Sequence, residues 1–153
     1  MIRIEASHIF PVSVTEAFAY ITDMKNWPAY WADFIRIENP SEARWSNRND
    51  KAIVVIQLLH RERALNMELQ EFQKDTRVTY ISRQQGLPDV RHERHFNAAP
   101  SGCEYRLVVE FEPRRGIAGL FDRLLVSRSV KRAMHKTVQN LQRVFQQRRG
   151  NTA

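Results

Sequence analysis

The final forty residues read as one long amphipathic helix, closing a chain that otherwise alternates like a set of strands. From Arg114 on, ten basic side chains face a single acid, Asp122, so this segment carries +9 while residues 1–113 carry −2. Its apolar stripe of Leu120, Leu124, Val130, Met134, Val138, Leu141 and Phe145 lies close to the 3.6-residue period and predicts a face laid on a core. A sheet preceding such a helix has one face to cover, and the helix supplies the cover.

The rest of the pattern fills in the sheet. Ile2 to Phe10 alternates as a strand that Pro11 ends, with His8 in phase with Ile4 and Phe10 as a core histidine. Ser13 with Glu16 three residues on has the capping-box spacing, which predicts a helix from Val14 to about Thr22 burying Val14, Phe18 and Ile21. A shorter helical turn follows through Met24 to Trp31, with Pro28 tolerable only near its start. Phe34 to Glu38, Lys51 to His60, Arg63 to Phe72, Arg77 to Arg83, Val90 to Asn97 and Cys103 to Phe111 then read as an antiparallel meander. Gly86 and Pro88 mark one connecting loop, and Ala99 to Gly102 marks another. The expectation is an α+β fold, a curved antiparallel sheet of about seven strands around a long C-terminal helix, with two short helices between the first two strands. One domain should span residues 1–153, with a disordered tail from about residue 148.

Composition excludes several classes. The longest apolar run, Ala52 to Ile56, is far too short to span a bilayer, and the strand pattern directly after Met1 leaves no visible signal peptide. The lone Cys103 permits no internal disulfide and suits a reducing cytoplasm. His8, His60, His92, His95 and His135 are scattered; the closest pair, three apart on a strand, points to opposite faces, so no metal site is expected. No phosphate loop or dinucleotide fingerprint is present, and no cofactor is expected.

Three segments carry a resemblance: Ile9 to Asp23 (IFPVSVTEAFAYITD), Trp27 to Trp31 (WPAYW) and Glu112 to Asp122 (EPRRGIAGLFD). Over nearly its whole length the chain resembles the helix-grip superfamily known as SRPBCC, or START-like, and most of all its polyketide cyclase/dehydrase-like branch. The resemblance implies a cavity between sheet and terminal helix that takes a hydrophobic small molecule, such as a lipid, isoprenoid or polyketide-like aromatic. A minority of the superfamily catalyses cyclisation, dehydration or hydrolysis, but no catalytic motif matches here residue by residue.

The alternation assigns Leu65, Met67, Leu107, Leu124, Met134 and Val138 to the cavity wall. His92 and Arg94 share a strand face with Val90 and Phe96; if that face is concave, they would orient a ligand carboxylate, phenol or carbonyl. In the opposite phase Arg91, Glu93 and His95 would point inward instead. His60, Tyr80, Ser82 and Tyr105 are similar cases on other strands, and Tyr80 and Tyr105, in phase with apolar neighbours, would present a hydroxyl at the bottom of the pocket. Trp27, Tyr30, Trp31, Phe34 and Trp45 form an aromatic group that reads as a plug, a wall or a gate. Trp27 and Trp31 would then face a lip containing Gly116 and Leu120.

Three functions follow from these residues: carriage of a hydrophobic small molecule, a cyclase or dehydratase using the pocket His, Arg or Tyr, or a module acting through its basic helix. For the last, an anionic membrane surface or an acidic protein is the fitting partner. The absence of exposed aromatics among the charges, and of any recognition motif, argues against nucleic acid.

Overall fold

The structure, a computed structural model, describes residues 1–152, with side chains as far as Arg149. Strand β1 (Ile2–Phe10) turns Ile4, Ala6 and Phe10 inward. Helix α1 (Val14–Thr22) follows, and its N-cap Ser13 accepts a hydrogen bond from the Glu16 amide at 3.1 Å, satisfying one of the helix's orphan donors. A 3-10 turn at Met24–Asn26 runs into α2 (Trp27–Tyr30), where Pro28 occupies the first turn and no amide donor is missed.

Then come β2 (Phe34–Ile37), β3 (Lys51–Leu58), β4 (Arg61–Gln73), β5 (Arg77–Arg83), β6 (Val90–Ala99) and β7 (Gly102–Phe111). With β1 they make one seven-stranded antiparallel sheet in the order β1-β7-β6-β5-β4-β3-β2. Each strand of the meander pairs with its neighbour, and the last returns to the first. A register shift between Leu69 and Glu71 bends the long β4, as bulges do. Gly102 lets β7 begin hard against the end of β1: a Cβ there would sit 1.9 Å from the Phe10 carbonyl oxygen.

The chain closes with α3 (Ile117–Phe121), one π-helical turn over Asp122–Val126, and α4 (Ser127–Thr152). The C-terminal half of α4 is firmly held. Phe145 and Leu141 are fully buried, and the Phe145 ring lies 5.0 Å from Phe10 and 5.5 Å from Tyr20. The Thr137 hydroxyl accepts from the Ala32 amide at 3.1 Å, and the Asn140 side chain donates to the Tyr30 carbonyl at 3.0 Å. This is the helix-grip arrangement expected from the sequence. The tail anticipated from about residue 148 is helical as far as Thr152, and Ala153 lies outside the described residues.

One part of the expected stripe is wrong. Leu120 and Leu124 point to solvent, 58% and 48% exposed, and the inward positions are Gly119, Asp122 and Val126. The π turn lengthens the local repeat, and Leu124 to Val130 is a step of six that no helical face accommodates. Asp122 takes the buried place. Its carboxylate accepts from the Arg114 backbone amide at 2.7 Å and from the Arg114 guanidinium at 2.7 Å. Gly119 makes the close approach possible, since a Cβ there would meet the Arg114 carbonyl at 1.9 Å.

Hydrogen bonds from Arg114 hold the Asp122 carboxyl below its usual range, against the opposing effect of burial. Because folding lowers this pKa, the stabilisation is complete above the ordinary carboxylate range and is lost as pH falls through the folded-state value. Asp122→Asn should therefore cost about 1.5–3 kcal/mol at neutral pH. In chemical denaturation, the gap between variant and wild type should close progressively on acidification.

Candidate functional site

The sheet and the N-terminal half of α4 do not meet. Between them is a cavity of about 140 Å³, against the roughly 10–15 Å³ that lodges one water on the same measure. Strand alternation builds its wall: Leu65 and Met67 from β4, Val78 and Tyr80 from β5, and Tyr105 and Leu107 from β7 all face it. From the helix come Val126, Val130 and Met134, while Trp27, Tyr30 and Trp31 close one side.

One patch of this apolar wall is polar. On β6, His92 and Arg94 face the cavity, while Arg91, Glu93 and His95 stand on the other face, with Glu93 bonded to His95 at 3.0 Å and to Arg91. The register places Tyr80 directly opposite His92, and their rings stack at 4.3 Å and 6°. Arg94 donates to the Tyr80 hydroxyl at 2.8 Å. Ser82, two residues further along β5, lies 2.8 Å by its Oγ from His92 Nε2. Trp45 packs edge-on to Tyr80 at 5.2 Å and to Trp27 at 5.5 Å, so the aromatic group backs the polar cluster.

Burial sets the protonation states. It pushes the phenols of Tyr80, Tyr30 and Tyr105 upward, with Arg94 pulling each of them the other way, so all three remain neutral hydroxyls at neutral pH. Burial, joined by the charge of Arg94, holds the His92 imidazole well below its ordinary value. Arg94 keeps its charge under all such conditions. Among the described residues no carboxylate lies within 4.0 Å of it, and the neutral tyrosines do not neutralise it. His92 Nδ1 and Gln84 Oε1, both on cavity-lining residues, are buried without a hydrogen-bond partner. A part-buried cation with no carboxylate partner and two unsatisfied polar atoms thus share one largely apolar chamber.

The comparisons with known proteins agree on this architecture. The family model for polyketide cyclase/dehydrase and lipid transport matches residues 1–146. The chain belongs to that family. Among solved structures, a protein from Thermus thermophilus superposes with TM-score 0.77 at 16% identity, covering 93% of this chain and 95% of that one. A protein from Chromobacterium violaceum gives 0.73 at 11% identity, covering 95% and 98%. A protein in the dynemicin biosynthetic locus gives 0.68 at 11% identity over 92% of this chain and 46% of that chain. At such identities these likenesses carry the fold alone. A search of the curated proteins gives no match.

Within this family fold, the sequence-assigned positions divide. Leu65, Met67, Tyr80, His92, Arg94, Tyr105, Leu107, Met134, Trp27 and Trp31 line the cavity. Val138 does not; it is buried nearer the clamped end of the helix, in the solid core. Leu124 faces solvent because of the π turn, and Gly116 and Leu120 are exposed rather than lip residues. His60 sits in the β3–β4 turn at φ +64, away from the cavity. Leu87 and Pro88, in the β5–β6 loop, line the cavity instead, as do Trp31 and Asp33. Nothing in the spacing of that loop announces a wall. Its placement comes from Arg114, which donates to the Gly86 carbonyl while pairing with Asp122. Among the described residues no three His, Cys, Asp or Glu side chains converge as a metal site would require.

The lowered His92 pKa has a measurable sign. Between the folded value and the ordinary one of about 6.5, the unfolded chain binds a proton that the native state excludes, so acidification through this window destabilises the fold. The His92 ring should stay neutral in nitrogen NMR where an ordinary imidazole has protonated. His92→Gln should remove that part of the pH dependence of stability.

Proposed function

We propose that the protein binds a hydrophobic small molecule bearing an acidic group, with the apolar body among the Leu, Met and Val side chains and the acid against Arg94. The observation that carries this reading is the guanidinium without a counter-charge inside the apolar chamber. Leaving such a charge unpaired costs several kcal/mol, whereas a carboxylate ligand would compensate it through a bidentate, charge-assisted contact. Tyr80, already bonded to Arg94, would orient the guanidinium, and the unpartnered polar atoms of His92 and Gln84 would meet further polar atoms of the ligand. Carriage needs no more than this. The family's description, which includes lipid transport, is consistent with it.

A second reading, a cyclase or dehydratase step on a polyketide-like substrate, is favoured by the Ser82–His92 contact. An imidazole kept neutral by its surroundings is available as a proton acceptor, and Arg94 beside it would polarise a carbonyl. Under this reading His92→Gln would reduce turnover by about 10²–10⁴-fold while leaving affinity nearly intact.

The binding reading is tested with a matched pair of probes, lauric acid and dodecanol, followed by tryptophan fluorescence. Wild type should prefer the acid. Arg94→Leu should weaken acid binding by about 10–150-fold, the loss of one charged hydrogen-bonding partner, and barely change the alcohol. Arg94→Lys should recover part of the loss. Equal affinity of wild type for acid and alcohol, or indifference of the acid to Arg94→Leu, would refute the acidic-ligand assignment.

A further inference from the structure

Leu120 and Leu124, expected in the core but exposed, join Ile117 and Leu125 in a surface of their own. Ile117, Leu120, Leu124 and Leu125 are 88%, 58%, 48% and 47% exposed, and their spacing puts them together on the outer side of the helix that covers the cavity. No other stretch of the described chain exposes large apolar side chains so densely. Single exposed leucines need no explanation, whereas a contiguous group does.

Two features show what chemistry this group fits. First, cations surround it: Arg115, Arg123, Arg128, Lys131 and Arg132 are all exposed, and among the described residues none makes a salt bridge to a carboxylate within 4.0 Å. The segment's only acid, Asp122, is fully buried and neutralised by Arg114, so no carboxylate of this segment offsets the positive field. Second, the patch is built rigidly. The Arg114–Asp122 bonds and the close approach at Gly119 fasten its base to the end of β7. Apolar side chains at the centre, cations around them and no exposed acid within the segment itself are what an interfacial helix presents to a bilayer carrying anionic lipids. The exposed Asp33 near Arg132 and Lys136 comes from another part of the chain. An acidic protein would match the cations but would offer no comparable medium for four projecting aliphatic side chains.

We infer that this segment docks the protein on anionic phospholipid membranes, with Ile117, Leu120, Leu124 and Leu125 inserted into the interface and the surrounding cations on the headgroups. Val126, Ser129 and Val130, on the inner side of the same stretch of helix, line the cavity. Docking therefore brings the cavity's covering helix to the lipid surface, where an amphiphilic ligand would be exchanged. Among the described residues no helix is long and apolar enough to cross a membrane, and interfacial docking requires none.

Vesicle flotation of the full chain decides the matter. The protein should float with phosphatidylcholine vesicles containing roughly one-third phosphatidylglycerol and remain below with pure phosphatidylcholine, and raising the salt should weaken the association. The double variant Leu120→Ser/Leu124→Ser should partition at least about tenfold less, because two leucine side chains no longer leave water. Arg128→Gln/Lys131→Gln should reduce flotation on anionic vesicles. Thermal unfolding and lauric acid binding should remain those of wild type in both variants, so failure here is distinguishable from failure of the cavity reading. The inference is overturned if wild type stays soluble with anionic vesicles or if the leucine variant floats like wild type. It is also overturned if wild type is a dimer that the leucine variant dissociates, since a second copy would then cover the patch.

Discussion

The cavity depends on a clamp at one end of the terminal helix. Phe145 packs between Phe10 and Tyr20, with Leu141 buried beside it, and Thr137 and Asn140 bond the same helix to the segment after α1. Together these contacts fix the angle at which α4 leaves the edge of the sheet. Beyond them the helix stands away from the concave face, and side chains from strands and helix line the same space without closing it. Truncating Phe10 or Phe145 would remove the kind of aromatic packing that costs about 3–5 kcal/mol to lose. The hollow is thus a consequence of where the packing is dense, not of weak packing throughout.

Electrostatics gives that hollow its character. Strand register alone places Tyr80 opposite His92 and sets Arg94 one pair further along the same face, so the cluster is carried by the sheet and not by a flexible loop. Burial keeps the phenols and the imidazole neutral, and the guanidinium is left as the one fixed charge among them. A wholly apolar chamber would serve any hydrophobe. Under the reading proposed above, this one would favour an anion at Arg94.

Much of this was legible in the sequence because period-2 alternation reports directly on strand faces. The concave assignment of Leu65, Met67, Tyr80, Tyr105 and Leu107 needs only the pleat, and the helix start at Ser13 only the capping chemistry. Legibility failed where an interaction between distant residues overrides the period. At Asp122 a buried carboxylate paired with a part-exposed guanidinium replaces the apolar residue that a stripe leads one to seek, and the π turn puts Leu120 and Leu124 out of phase with the stripe of the helix that follows. The same Arg114 draws the Gly86 loop in, making Leu87 and Pro88 a cavity wall that no local pattern foretells. The error at Leu120 and Leu124 is also informative, since leucines absent from the core are what form the exposed patch.

The central claim is that this chain holds an acidic amphiphile in the chamber around Arg94, and native mass spectrometry of freshly purified protein addresses it most directly. The account predicts a retained mass above that of the bare chain, released by organic extraction as an acid with a hydrophobic body and absent from Arg94→Leu prepared in parallel. Bare protein that also fails to take up lauric acid after delipidation would contradict it, as would an extracted neutral ligand retained equally by Arg94→Leu.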